Sequence, residues 1–210
     1  MRIQLFNPLF EKYSQKSRKK KVEEFFHLME PIKSDILLDV GGGVGRGFRE
    51  IWNYFAKIIV VDMNEKAMEA IGREMKHAEV IVGNACDLSL NDKSVDYVFS
   101  NALIEHISKE RRYRFASEVK RVTRKGYFIT TPDYYFPYEP HYKMPFWQYL
   151  PEGIKRELSK YFTIGWCAKG NYKRIDLLSA EELRKLFPKA KVKGLRITIR
   201  PETLICYWKK

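Results

Sequence analysis

Asp39, Gly41, Gly43 and Gly45 lie in the stretch ILLDVGGGVGRG, residues 36–47, and Asp62 closes the run KIIVVD. Closely spaced glycines cost backbone entropy and are expected where a ligand must come near the main chain. A phosphate-cradling loop needs a glycine, four residues and then Gly-Lys-Ser/Thr. The frame from Gly42 reaches Gly47 and then Phe48, with no lysine to meet a phosphate. The dinucleotide pattern G-x-G-x-x-G fails at its third glycine, which is Arg46 in the frame from Gly41 and Phe48 in the frame from Gly43. What remains is G-x-G-x-G with an acid two residues ahead. A second acid, Asp62, is placed to bind ribose hydroxyls. The plainer roles are turn caps for Asp39 and Asp62, and strand–helix packing for Gly42 and Gly47.

Strands and helices must hold these residues in place. Phe6, Leu9, Phe10 and Tyr13, then Val22, Phe25, Phe26 and Met29, recur at helical spacing, which predicts one or two N-terminal helices ending near Pro31. Residues 35–40, 57–62, 79–83, 95–100 and 126–132 are short apolar runs that read as buried parallel strands. Helices fall between them, through Phe48–Phe55, Asn64–His77 and Ser108–Thr123. This strict alternation predicts an α/β fold with helices on both faces of the sheet. Ser179 with Glu182 makes a capping box. Residues 191–200 and 202–210 read as an antiparallel hairpin at the sheet edge, turning at Pro201–Glu202.

Asp39-x-Gly41-x-Gly43-x-Gly45 resembles the cofactor loop of class I S-adenosylmethionine (SAM) methyltransferases of the type 11-like family. The resemblance runs from about residue 35 to 131. Asp62 closes VVD where this family binds the ribose hydroxyls, and Met63 follows it. GNACDL, with Asn84, Ala85, Cys86 and Asp87, stands where the family clamps adenine, although the family usually has an acid at position 84. SVDYVFSNALIEHI resembles the family's fourth strand and the helix start after it, with Asn101 at the strand's end and Glu105-His106 beyond. The resemblance implies a Rossmann-like doubly wound sheet of seven strands, mostly parallel, with an antiparallel C-terminal hairpin strand. It implies SAM as cofactor, bound by Asp39, Gly41, Gly43, Gly45, Asp62, Met63, Asn84, Ala85, Cys86, Asp87 and Asn101. An acid such as Asp39 suits the cationic end of that ligand. Glu105 and His106 read first as a brace for the helix start.

DYYFPYEPHYKMPFWQYLP, residues 133–151, fits neither period and reads as a functional loop. It resembles the loop over the cofactor mouth in a subgroup of the family that carries Glu-Pro-His. That implies an acceptor pocket lined by Tyr134, Tyr135, Tyr138, His141, Tyr142 and Trp147, although such aromatics also pack on one another to build cores. Methyl transfer to an alcohol needs a base, and the candidates are His141, His106 and Asp133, in that order. The expected reaction is methylation, O-methylation favoured, of a small-molecule or glycan/lipid-type acceptor, with an anionic one in keeping with the charge. RNA or protein acceptors stay open, as does a SAM-binding protein without turnover that acts on RNA or protein partners. SNAL stands where base-amine methyltransferases carry Asn/Asp-Pro-Pro-Tyr/Phe, which disfavours that chemistry.

The 210 residues carry a net charge of +13 and are 45% hydrophobic. The reading is one methyltransferase domain over 1–210, with a helical segment at 1–34 and an aromatic, proline-rich cap insertion at 132–176. The basic run KSRKKK, Lys16 to Lys21, reads as a solvated helix face. Cys86, Cys167 and Cys206 show no paired or zinc-like spacing, so they read as reduced and structural, and no metal is expected. The absence of a long apolar run predicts a soluble cytoplasmic protein. Abundant Lys, Arg and Glu, with Gln only at 4, 15 and 148, suit a heat-adapted source.

Overall fold

The computed structural model describes residues 2–3, 7–43, 48–198 and 200–210, with side chains from residue 12 onward. Gly45, Arg46 and Gly47 lie outside the described residues. The elements in order are β1 (Arg2–Ile3), α1 (Asn7–Met29), β2 (Ile36–Val40), α2 (Arg49–Tyr54), β3 (Lys57–Asp62), α3 (Glu65–Glu74), β4 (Ala78–Val82) and β5 (Val95–Asn101). After β5 come α4 (Arg112–Val122), β6 (Thr123–Pro132), β7 (Tyr138–Glu139), β8 (Met144–Pro145), α5 (Glu152–Tyr161), β9 (Thr163–Ile164), α6 (Ala180–Leu186), β10 (Lys191–Arg196) and β11 (Pro201–Lys209).

Seven strands form one sheet in the order β10-β11-β6-β5-β2-β3-β4. The pairs from β6 to β4 are parallel, and β11 runs antiparallel to both β6 and β10. This is the α/β fold that the alternation predicts, and the Rossmann-like sheet that the resemblance implies. The chain builds outward from β2 to β4, then crosses back to β5. The strand order therefore reverses between β2 and β5, where open α/β sheets leave a crevice at the strands' carboxyl ends. Both β2 and β3 are covered on two faces, which is why they read as unbroken apolar runs. Leu37, Ile58 and Val60 pack with α1, α2 and α3, whereas Leu38, Val40, Ile59 and Val61 pack with α4 and α6.

One long helix, α1, covers the first face. Phe25 locks it down: fully buried, its ring meets those of Phe26, Phe55, Phe99 and Phe128 at 5.5–6.2 Å. Each such pair contributes about 0.5–1.5 kcal/mol beyond area burial. Asn64 caps α3 by accepting from Ala67 N at 3.1 Å, and Ser179 and Glu182 form the expected capping box on α6. All three cysteines are free and buried.

Three boundaries differ from the sequence reading. A pair of 3-10 turns, Ile104–His106 and Lys109–Arg111, precedes α4, so the helix starts at Arg112 instead of Ser108. The fifth parallel strand begins at Thr123, directly after α4. The C-terminal hairpin turns between Arg196 and Pro201, which pair with each other, not at Pro201–Glu202. Glu202 is buried and holds that turn by accepting from Ile197 N at 2.8 Å and Thr198 N at 2.6 Å.

Candidate active site

The glycine loop leaves the end of β2 at the crevice. Gly41 has φ +79°, and a Cβ there would stand 2.8 Å from the Leu103 side chain. Gly42 has no room either, because its Cβ would come within 2.6 Å of Val60. The loop is tied to β3: Gly41 N donates to Val61 O at 2.8 Å and Gly43 N donates to Asp62 Oδ2 at 2.9 Å. The other carboxylate oxygen of Asp62 accepts from Asn64 N at 2.8 Å.

Two cavities open on either side of this loop, and Gly41 and His106 line both. The smaller, about 380 Å³, is walled by Asp62, Met63, Asn84, Ala85 and Cys86. Asn84 folds its loop into a turn, its Oδ1 accepting from Cys86 N at 3.0 Å. Asp87 is exposed and is not part of this wall.

The larger cavity, about 450 Å³, holds Asp39, Gly43 and Asn101 on its sheet side. Asp39 is buried, with Oδ2 accepting from Trp52 Nε1 at 2.7 Å. Burial pushes its carboxyl up to about 7; the Trp52 bond opposes this and the charge of Asp62 adds to it. Asn101 Oδ1 accepts from Thr130 Oγ1 at 2.7 Å and from Lys21 Nζ at 3.0 Å.

Across from the sheet the wall is built by α1 and the cap. Tyr13, Ser17 and Lys21, four residues apart, share one helical face, and Arg18 stands beside them. Part of the basic run therefore faces the cavity, while Lys16 and Lys19 are exposed as the solvated-face reading expects. Burial lowers Lys21 to about 8 against the opposing charge of Glu105.

The cap contributes Phe136, Tyr138, Pro140, His141 and Trp166. His141 is fixed on both sides. Trp166 N donates to its carbonyl at 3.0 Å, and Gly165, at φ +58°, lets the chain lie on the backbone of 141–142, where a Cβ would come within 2.4 Å. With its proton on Nδ1, the imidazole donates to Glu139 Oε1 at 2.7 Å, while Nε2 stands 3.8 Å from Glu105 Oε1. Burial alone would lower His141, but the hydrogen-bonded carboxylate of Glu139 and the charge of Glu105 together raise it. Burial raises Glu105.

Several aromatic positions fall elsewhere than the sequence reading places them. Tyr142 and Trp147 stack on each other at 4.7 Å in a small core with Ile164 and Cys167, away from the cavity. Tyr134 packs edge-on against Tyr135 and Tyr149, and Tyr135 is 66% exposed; neither lines the cavity. Asp133 is also absent from the wall, since its Oδ1 accepts from Tyr135 N at 3.0 Å in a local turn. Of the six aromatic and histidine positions expected to meet the acceptor, the cavity brings in Tyr138 and His141. Lys21 and Arg18 are site residues the sequence reading leaves out, while it takes Glu105 first as a brace for the helix start and Glu139 only as part of Glu-Pro-His. The spacing Tyr13–Ser17–Lys21 was the available signal for the first of these.

Residues 38–130 match the family model described as Methyltransferase domain. Over 99 residues, 46% of this chain, the sequence is 32% identical to a probable S-adenosylmethionine-dependent methyltransferase of Mycobacterium tuberculosis. The chain spans about a third of that relative, 35% of its length. Among solved structures, a SAM-dependent methyltransferase from Methanosarcina mazei superposes with a TM-score of 0.63 at 17% identity, covering 89% of this chain and 96% of that one. The magnesium protoporphyrin IX methyltransferase of Synechocystis with bound SAH gives 0.65 at 12% identity, covering 98% and 88%. No helix among the described residues is long and apolar enough to cross a membrane. Residues 38–130 thus match a methyltransferase domain, and the sheet has the fold of class I S-adenosylmethionine-dependent methyltransferases, a family whose cofactor is SAM.

Proposed function

We propose that this chain methylates an oxygen of a small, anionic acceptor held between α1 and the cap. The observation that carries this reading is the pair of cavities meeting at Gly41 and His106. Asp62, Met63, Asn84, Ala85 and Cys86 would hold the adenosine part of SAM, while Asp39, Gly41, Gly43 and Asn101 would hold its amino-acid part. Gly45 joins them by the loop pattern. Asp39 fits that task, because a buried carboxylate raised by desolvation gains when a cationic ammonium arrives beside it. Bound SAM supplies a methyl group already activated on a sulfonium.

The chain's own contribution is positioning, exclusion of water and handling of one proton. Lys21 and Arg18 put two cations on the acceptor side, and Glu202 does not cancel them freely because its carboxylate is engaged by two backbone N–H groups. His141 takes the hydroxyl proton on Nε2, with Glu139 holding the ring through Nδ1. Asp133 drops out as a base because it lies off the wall.

Calorimetry with SAM, its demethylated product and NAD, followed by labelled methyl transfer into fractionated cell extract, tests the reading. Micromolar SAM binding with label entering a small anionic compound supports it. Tight NAD binding without SAM binding sinks it. SAM binding with no transfer to any fraction favours a non-catalytic protein with RNA or protein partners. A His141→Ala variant with full turnover would remove the base.

A further inference from the structure

Glu105 and His106 come from the 3-10 turn after β5, and His141 comes from the cap. The fold brings one ligand-capable atom from each within 4.8 Å of the others. Glu105 is 1% exposed; its Oε2 accepts from Thr131 Oγ1 at 2.9 Å, but its Oε1 has no hydrogen-bond partner among the described residues. A buried carboxylate oxygen left bare is costly and calls for an explanation. His141 Nε2 stands 3.8 Å from that oxygen, beyond hydrogen-bond reach. The other nitrogen of His141 is held by Glu139 at 2.7 Å, the arrangement in which a carboxylate orients a metal-ligating imidazole. The His106 ring stands edge-on to that of His141, with centroids 4.9 Å apart.

We propose that Glu105, His106 and His141 bind a divalent first-row transition metal ion, of which Zn²⁺ is the type, with Glu139 orienting His141 from behind. Two imidazoles and a carboxylate are a donor set for such an ion; Mg²⁺ or Ca²⁺ would be met by oxygens alone. Tetrahedral ligands at about 2.0–2.1 Å from zinc stand roughly 3.4 Å apart, so the three groups must close by up to about 1.4 Å. His106 is exposed and free to make that movement. Two acids, Glu105 and Glu139, stand against the charges of Lys21, which already donates to Asn101, of Arg18 on the same wall, and of Lys173 near His106. The three ligands have no motif-like spacing in the chain because the turn and the cap are 35 residues apart, so the sequence offers no sign of them.

Both His106 and His141 line the acceptor cavity, so a fourth coordination position opens there. If the methyltransferase reading holds, the acceptor presents an oxygen donor to the ion, which lowers the pKa of a bound hydroxyl. Proton and metal then compete for His141 Nε2. The binding of the ion itself does not depend on that reading.

Titrating the chelator-stripped full-length chain with Co²⁺ tests the site. One equivalent should bind in the micromolar range and produce a visible ligand-field band. Glu105→Gln and His106→Ala should each weaken binding at least tenfold, and Glu139→Gln about 10–100-fold. His106 is at the surface, so its variant keeps the test valid if Glu105→Gln misfolds; circular dichroism checks both. No band, or a band whose affinity is unchanged in His106→Ala and Glu139→Gln, overturns the proposal. Calorimetry with SAM on the same samples separates the two ideas. Cobalt binding without SAM binding would sink the methyltransferase reading alone, and SAM binding without cobalt binding would sink the metal site alone.

Discussion

The cavity has two unlike walls. On the sheet side, the glycine loop and the ends of β2, β3 and β5 present main chain and short acids. Strand pairing and the Gly41–Val61 and Gly43–Asp62 bonds fix their positions. On the other side, α1 and the cap present long side chains from segments more than a hundred residues apart in the chain: Lys21 from the helix, His141 and Trp166 from the cap. A backbone wall suits a ligand that never changes. A side-chain wall can be rewritten by single substitutions without disturbing the sheet. The cofactor side should therefore be the conservative half of the molecule and the acceptor side the adaptable one.

Releasing α1 is the strongest way to break that division. Phe25→Ala empties a site bounded by four aromatic rings and should cost about 3–5 kcal/mol of stability, read by denaturant unfolding. In the folded fraction at low temperature, SAM affinity should stay within a few-fold while the acceptor KM rises. Equal loss of both would mean that the walls are not separable.

Asp39 probes the opposite wall. Its folded pKa of about 7 exceeds the ordinary 3.8, so the folded state binds the proton more tightly than the unfolded state between those values. Its cost is fully present above pH 7 and vanishes below about pH 4. The cofactor-free protein should thus gain stability as pH falls through that window, by up to about 4 kcal/mol from this group. Asp39→Asn should flatten the dependence and raise Tm at pH 8. The same change should weaken SAM binding by about 1.5–3 kcal/mol, the worth of a hydrogen bond to a charged group. In the unaltered protein, the SAM Kd should rise about tenfold for each pH unit below 7. A Kd that is flat from pH 8 to 5.5 would remove Asp39 as the ammonium partner.

The two walls also differ in how far the sequence reveals them. Leu37, Leu38, Ile58 and Ile59 are buried on both faces of the sheet, so continuous apolar runs betray the strands, and the glycines between them have few other uses. Lys21 is hidden because a lysine in KSRKKK looks the same whether it faces water or a cavity; only the docking of α1 decides. Tyr142 and Trp147 look like lining because an aromatic segment does not announce which rings pack on each other. Glu105 is obscure for a related reason: nothing in its neighbours signals that a carboxylate will be buried there with one oxygen lacking a donor among the described residues.

Lys21→Met should act mainly on the acceptor wall, its one bond toward the other wall being that to Asn101, which Thr130 still holds. It keeps most of the stem that fills the helix face and removes the charge. For an anionic acceptor, KM should rise roughly tenfold, about 1.4 kcal/mol, with the SAM Kd changed less than threefold. A neutral acceptor would show no change in KM, which would sharpen the comparison by removing the charge argument while leaving the wall in place.

The smallest effect should come from inside the cap. Tyr142 donates its hydroxyl to the Lys173 carbonyl and stacks on Trp147, so it supports the cap without facing the acceptor. Tyr142→Phe keeps the stacked ring and removes the hydroxyl's bonds to Lys173 and Cys167, which should cost about 0.5–1.5 kcal/mol of stability. The acceptor KM should not move, because His141 is held by Glu139 and by the backbone at Gly165 and Trp166, none of which needs the phenol. An unchanged Tm with a tenfold rise in KM would mean that Tyr142 reaches the acceptor. The side-chain wall would then extend one layer deeper into the cap than the cavity does.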